Sequence, residues 1–284
     1  MLKSGFLVSR SSLSEWKEVI KWEMDEQWDI GIDDEECFFQ VDPNGFFMGY
    51  RDGVPVASVS IVNFDETYSH VGHFLVAPHA RAQGYGLNTW KQAITHDVAY
   101  RSGLDSVVEQ RANYEKWGYS AHYRIFRMSG FMNDGLVVKE INSSPIDEYN
   151  LSEVIDFDEY CCGYNRGSLL RSWFTAAGRR GWIYREGNEI AGVLGARLST
   201  AGIRIGPIYA RNHFIAQQML QSIRTYFPSS IRFTVDVPEF SSEMIQDFID
   251  LGFVEQFHTY RMYRGGAPAE RSELIKAIAS LDLG

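Results

Sequence analysis

The sequence predicts a mixed α/β fold used twice, and three observations carry that prediction. The first is length, since 284 residues fill one large core or two ordinary ones. The second is an internal repeat: "YRDGVPVASV" (50–59) matches "YREGNEIAGV" (184–193), and "YEKWGYSAHYRIFRM" (114–128) matches "FIDLGFVEQFHTYRM" (248–262). Tyr50 and Tyr184, Gly118 and Gly252, and Met128 and Met262 all stand 134 residues apart. The third is the alternation of strand-like and helix-like hydrophobic patterns within the first copy. Ser143, Ser144 and Pro145 in "KEINSSPIDEYN" suit a linker, so the expected domains are 1–140 and 146–284.

Taken in order, "GFLVS" reads as a strand and "LSEWKEVIKWEM" as a helix, with Ser12 or Ser14 as N-cap and Trp16, Ile20 and Met24 at helical spacing. "GFFMGYRDGVPVASVSIV" holds two strands around an Asp-Gly turn, the signal of a hairpin, and "HVGHFLV" is a third strand. A long helix follows with Leu87, Trp90, Ile94 and Val98 on one face. "DSVV" is a short strand, "ANYEKWGY" a short helix and "HYRIFRM" a last strand.

Composition narrows the function. With 45% hydrophobic and 23% charged residues the chain has the make-up of a soluble globular protein. The opening "MLKSGFLVSRSSLSEW" lacks a secretory signal, and no run of 18 apolar residues follows, so a cytoplasmic location is expected. Cys37, Cys161 and Cys162 have neither disulfide nor zinc-site spacing, and no metal is expected. A net charge of −10 without a basic patch argues against nucleic acid and membrane partners.

The most informative stretch is "VAPHARAQGYGLNTW" (76–90), a strand end, a glycine turn and a helix start. Amides in the first turn of a helix have no intrahelical acceptor, and the helix dipole favours an anion there. Gly84 and Gly86 would let the backbone approach a pyrophosphate or adopt positive φ. The spacing is V-x-P-x-x-R-x-x-G-x-G, which is neither the P-loop nor the dinucleotide fingerprint.

Arg81-Ala82-Gln83-Gly84-Tyr85-Gly86 resembles the R/Q-x-x-G-x-G/A acyl-CoA loop of the Gcn5-related N-acetyltransferase (GNAT) superfamily, and "NYEKWGY" resembles that family's Y-E-K-x-G-F element. The repeat makes the whole chain resemble tandem GNAT proteins, the second half being similar to a YitH-type domain. The resemblance implies, for each copy, a mixed and mostly antiparallel sheet flanked by helices, with acetyl-CoA as co-substrate. It places pantetheine along Phe74, Leu75 and Val76, and pyrophosphate on Arg81, Ala82, Gln83, Gly84, Tyr85 and Gly86. It implies oxyanion stabilisation by a backbone N–H of that strand, and Tyr114 as the acid that protonates the departing thiolate. His73 and Glu109 are, by position, the candidates for general base, whereas His70 and His79 read as surface residues.

For the acceptor there is one compositional clue. Residues 22–36, "WEMDEQWDIGIDDEE", hold eight acids and no base, and in the resembled fold this connection borders the acceptor pocket. Trp28, Asp29, Asp33 and Asp34 would suit a small cationic amine through charge and cation–π contacts, and a solvated acidic loop is the alternative reading. In the second copy the 134-residue offset puts Gln218, Leu220 and Phe248 under Gly84, Gly86 and Tyr114, and "YARNHFIAQQML" has no glycine. That copy is expected to keep the fold, lose the cradle and either complete the acceptor pocket or stabilise the first domain; Arg166 and Asp236 are candidate contributors, each equally readable as a structural ion-pair or turn residue. The expected function is acetyl transfer to a primary amine by a monomer or homodimer. A non-catalytic acyl-CoA sensor and a protein lysine acetyltransferase stay open.

Overall fold

The repeat in the sequence is a repeat of elements in the computed structural model, which describes residues 5–132 and 142–284. The expected domain end at residue 140 lies outside the described residues. The first copy runs β1 (Phe6–Arg10), α1 (Leu13–Asp25), α2 (Asp34–Val41), β2 (Phe46–Arg51), β3 (Val54–Asn63), β4 (Tyr68–Val76), α3 (Tyr85–Ala93), β5 (Arg101–Val107), α4 (Arg111–Glu115) and β6 (Ser120–Phe131). The second runs β7 (Ser143–Pro145), α5 (Leu151–Cys162), α6 (Gly167–Trp173), β8 (Arg179–Glu186), β9 (Glu189–Leu198), β10 (Ile203–Ala210), α7 (His213–Tyr226), β11 (Arg232–Pro238), α8 (Ser242–Asp250) and β12 (Val254–Arg264). A further strand, β13 (Ile275–Ala277), has no described counterpart in the first copy.

Local chemistry explains the starts and stops. Ser12 caps α1 through a reciprocal box in which its hydroxyl accepts from Glu15 N while its own N–H donates to the Glu15 carboxylate. Asp52 and Gly53, both at positive φ, form the expected hairpin turn between β2 and β3. Two helix faces differ from expectation. In α1 the buried residues are Trp16, Val19 and Glu23, and Met24 is exposed, because the helix turns an acid rather than Met24 inward. Helix α3 stops at Ala93 and gives way to a 3₁₀ turn, so Val98 lies beyond it and is 75% exposed; within the helix Tyr85, Gly86, Thr89, Trp90 and Ala93 are the buried residues and Leu87 is 50% exposed. The strand expected at "DSVV" is longer, beginning at Arg101 and ending at Val107.

The thirteen strands of the described residues lie in one sheet, in the order β1-β2-β3-β4-β5-β12-β6-β11-β10-β9-β8-β7, with β13 on β10. The two copies have exchanged their last strands: β12 pairs with β5 of the first copy, and β6 with β11 of the second. One core spans both copies, joining Trp16, Phe38 and Phe46 to Leu170, Trp173 and Tyr209, and Phe38 stacks on Trp173 at 6.0 Å between ring centroids. Separate cores lie under α3 and under α7. Among the described residues no helix is long and apolar enough to cross a membrane.

Candidate active site

Strands β4 and β5 run parallel from Tyr68–Arg101 to Val71–Leu104 and then part. Beyond that point, among the described residues, β5 pairs only with β12 and β4 only with β3, so the edge of residues 72–76 that faces β5 has no described strand against it. The parting opens a cleft of about 490 Å³. Its walls are Val71–Val76 of β4; Leu104, Asp105 and Val107 of β5; Arg81, Ala82, Gln110 and Tyr114 at one end; and Trp28, Arg127, Phe257, Thr259, Leu281 and Asp282 at the other. An unpaired strand edge presents amide and carbonyl groups to an extended amide-bearing ligand, as a neighbouring strand would.

A bulge sits at the centre of the cleft. Register slips between Ser58↔Leu75 and Ser60↔Gly72, and His73 takes φ +50, a left-handed conformation that a non-glycine residue holds only when its surroundings fix it. Two contacts fix it here. Ser58 Oγ donates to the His73 carbonyl at 2.8 Å, and His73 Nδ1 meets Glu23 Oε1 at 2.5 Å. Trp16 and Phe38 pack against the imidazole. Burial disfavours the imidazolium, but the Glu23 and Asp282 carboxylates override it and carry His73 up to about 9. Glu23, buried at the same contact, is raised from the ordinary carboxyl range by desolvation in spite of His73. Among the described residues His73 Nε2 is buried and has no hydrogen-bond partner.

At the other end, Ala82 and Gly84 both have positive φ, and Gly84 caps α3 without any side-chain hydrogen bond. The first intrahelical bond runs from Asn88 N to Gly84 O, which leaves the preceding first-turn amides for an anion. Gly86 has a different task from the one expected: a Cβ there would lie 2.8 Å from Val76 Cγ2, so its lack of a side chain lets α3 sit on β4. Tyr85 packs its ring on Phe6 at 5.0 Å. Arg81 binds the Val76 carbonyl and the Glu26 carboxylate, and Gln83 the His79 carbonyl, so both side chains hold the loop in shape. Tyr114 lines the cleft edge-on to Phe74 and Trp90, and burial pushes its phenol well above the ordinary tyrosine value.

Several other expected residues lie elsewhere. Glu109 is exposed in a 3₁₀ turn outside the cleft, where its neighbour Gln110 is the lining residue. Of the acidic stretch only Trp28 reaches the cleft. Asp34 is buried against Arg179 at 2.7 Å and Arg197 at 2.9 Å, and although burial opposes its ionisation these arginines hold it below the usual carboxylate range. Asp29 accepts from Ala201 N at 3.1 Å while its carbonyl accepts from Arg204, and Asp33 is exposed at the start of α2. Asp34 and the Asp29 backbone dock α2 and its approach onto the second copy; a count of charges cannot show that arginines from more than 140 positions away bind them. Arg166 pairs with Asp158, and Asp236 with Arg127 and Arg204, so both are structural ion-pair residues. His70 is buried, contacting Tyr68 Oη and the Leu281 carbonyl, rather than on the surface; His79 is exposed as expected. Glu23 is the residue that sequence reading missed, though an acid three and four positions on from Ile20 and Val19 on the Trp16 face was the available signal.

The second copy has the same parting of strands with different contents. Strands β10 and β11 run parallel from Ile203–Phe233 to Ile205–Val235, and past that point β13 lies between them. Ala277 pairs with Ile208 and Ile275 with Tyr209, while Ala210 N donates to Leu274 O at 2.9 Å and Ile278 N to Asp236 O at 3.0 Å. The chain's own strand takes the edge that is open in the first copy. Helix α7 is capped as well, by Asn212 Oδ1 accepting from Ile215 N at 2.9 Å.

Comparison with known proteins agrees with this geometry. Residues 13–119 match the family described as "Acetyltransferase (GNAT) family", and residues 154–276 match "Acetyltransferase (GNAT) domain". The chain is 40% identical over 274 residues to holothin acyltransferase of Pseudoalteromonas sp. (strain SANK 73390), covering 96% of this chain and 93% of that protein. Among solved structures it is similar to a putative acetyltransferase from Pyrococcus horikoshii (TM-score 0.82, 15% identity, 100% of this chain and 98% of that one). It is also similar to a tandem GNAT protein from the clavulanic acid biosynthesis pathway (TM-score 0.62, 15% identity, 92% and 99%).

Proposed function

Since the chain belongs to the GNAT acyltransferase family, we propose that it transfers an acyl group, acetyl in the first instance, from acyl-CoA to a primary amine of a small molecule, using the first copy alone. The observation that carries this reading is the open cleft between β4 and β5, with an uncapped helix start near one end and an aromatic, charged recess at the other. The unpaired edge of residues 72–76 suits pantetheine amides, and the first-turn amides of α3 suit pyrophosphate. Acyl-CoA supplies an activated thioester carbonyl, and a backbone N–H of the same edge stabilises charge on its oxygen. His73 Nε2 takes the proton that the amine loses as the C–N bond forms. Tyr114, kept protonated by its surroundings, donates to sulfur as the C–S bond breaks.

A base poised near 9 matches an acceptor that arrives as an ammonium ion. The relative named holothin acyltransferase makes holothin the first acceptor to try, followed by benzylamine, 2-phenylethylamine and spermidine. With acetyl-, propionyl- and butyryl-CoA, release of free thiol should depend on one of these amines. Tight acetyl-CoA binding without turnover of any would favour the sensor reading.

A further inference from the structure

The segment that fills the second copy's cleft does not end there. After β13 it crosses to the first copy, where Leu281 and Asp282 line the open cleft. Each crossing is made at an equivalent glycine: a Cβ on Gly206 would strike the Ile278 carbonyl, and one on Gly72 the Asp282 carbonyl. The path is held at every step. Arg197 Nη1 donates to Ala279 O at 3.1 Å, His70 contacts Leu281 O at 3.4 Å, and Arg166 Nη1 donates to a Gly284 oxygen at 2.5 Å. Ser280 is buried and accepts from Asp282 N at 3.0 Å.

This anchoring sets the charge at the acceptor end. The other lining acids and bases there are already paired: Asp105 is held by two bonds of 2.8 Å from Arg261, and Arg127 by two to Asp236. Asp282 is different. Its side chain is 19% exposed, receives among the described residues only a long 3.4 Å bond from Ser280 Oγ, and stands 4.0 Å from His73 Nδ1. We propose that the second copy serves as a dock for residues 274–284, and that Asp282, presented by this segment, is the group that receives the acceptor's amine beside His73. The proposal rests on the amine acyl-transfer reading above and adds the residue that selects the acceptor. The carboxylate binds the incoming ammonium and remains to stabilise the imidazolium once the proton has moved to His73. The groups facing His73 are Glu23 from α1, Asp34 from α2, His70 along β4 and Asp282 itself.

The test is Asp282→Asn in the full chain. With the best acceptor amine among holothin, benzylamine, 2-phenylethylamine and spermidine, its KM should rise at least about tenfold while acetyl-CoA affinity by calorimetry stays within a factor of about two. The titration midpoint of the His73 imidazole, followed by NMR, should fall. An unchanged amine KM would overturn the proposal, and so would an equal loss of acetyl-CoA affinity, which would mark Asp282 as structural only. If the wild type acylates none of these amines, the function proposed above fails; the His73 midpoint then still decides whether Asp282 faces the base, and an unmoved midpoint refutes it. Asp282→Glu, which keeps the charge, should restore part of the amine KM.

Discussion

The two copies place the same parting of strands on either side of one sheet, yet they use it in opposite ways. In the first, β4 and β5 separate past Val71 and Leu104 and leave a cleft of about 490 Å³; in the second, β10 and β11 separate past Ile205 and Val235 and are closed by β13. The first copy starts its helix at an uncapped Gly84, and the second at Asn212, whose side chain consumes a first-turn amide. An unsatisfied strand edge and helix end must be met by something, because lone buried backbone groups are costly. A fold that lets its own chain satisfy them has given up a ligand and gained an anchor. The division of labour between the copies is therefore a matter of which partner, ligand or segment, completes the same hydrogen-bonding frame.

The comparison can be broken most forcefully at Gly84. Gly84→Asp combines a positive φ with a like charge at the pyrophosphate end, so acetyl-CoA affinity should fall by about 100-fold or more with the fold retained; calorimetry and circular dichroism read the two parts. Tyr114→Phe should leave that affinity alone and lower kcat by about 100-fold, as expected for loss of a positioned acid. Asp34→Ala strands two buried arginines between the copies. It should cost about 3 kcal/mol in denaturant unfolding, more than the loss of any exposed ion pair.

Acid should act on the same interface. The folded-state carboxyls of Asp34 and Asp236, the latter held down to about 2 by Arg127 and Arg204 against the effect of burial, are depressed. The stability they contribute is present above about pH 4 and lost as pH falls through their folded values.

Subtler probes sharpen the contrast. With His73 near 9, kcat/KM should climb with pH until about that value, and Glu23→Gln should move this limb downward, because the principal carboxylate holding the proton is gone. The raised His73 value also means that its stabilising pairing is complete below about pH 6.5 and fades as pH rises through about 9. The smallest effect belongs to Asn212→Ala, which should cost about 1 kcal/mol of stability and leave acetyl-CoA stoichiometry unchanged.

Local features of the fold were legible in the sequence. The Asp52-Gly53 turn, the Ser12 cap and the turn into a helix at Gly84 follow from neighbouring residues, and each is present in the structure. What escaped depends on distant pairing. Nothing near Val254–Arg264 indicates that this strand lies against β5 rather than closing its own copy, and "LIKAIA" has too little strand character to announce that it fills a cleft. Asp34 and Asp29 read as part of an acceptor surface because the arginines that bind them, Arg179 and Arg197 at the Asp34 carboxylate and Arg204 at the Asp29 carbonyl, are remote in sequence. Glu23 was hidden by its type, since a carboxylate on a packed helix face makes sense only once His73 is seen opposite.

Calorimetric titration of the intact chain with acetyl-CoA tests the division between the copies most directly. The account predicts one site per chain, abolished by Gly84→Asp. Two sites of comparable affinity, or one site that survives Gly84→Asp, would contradict it by showing that the second copy binds despite β13 and the Asn212 cap.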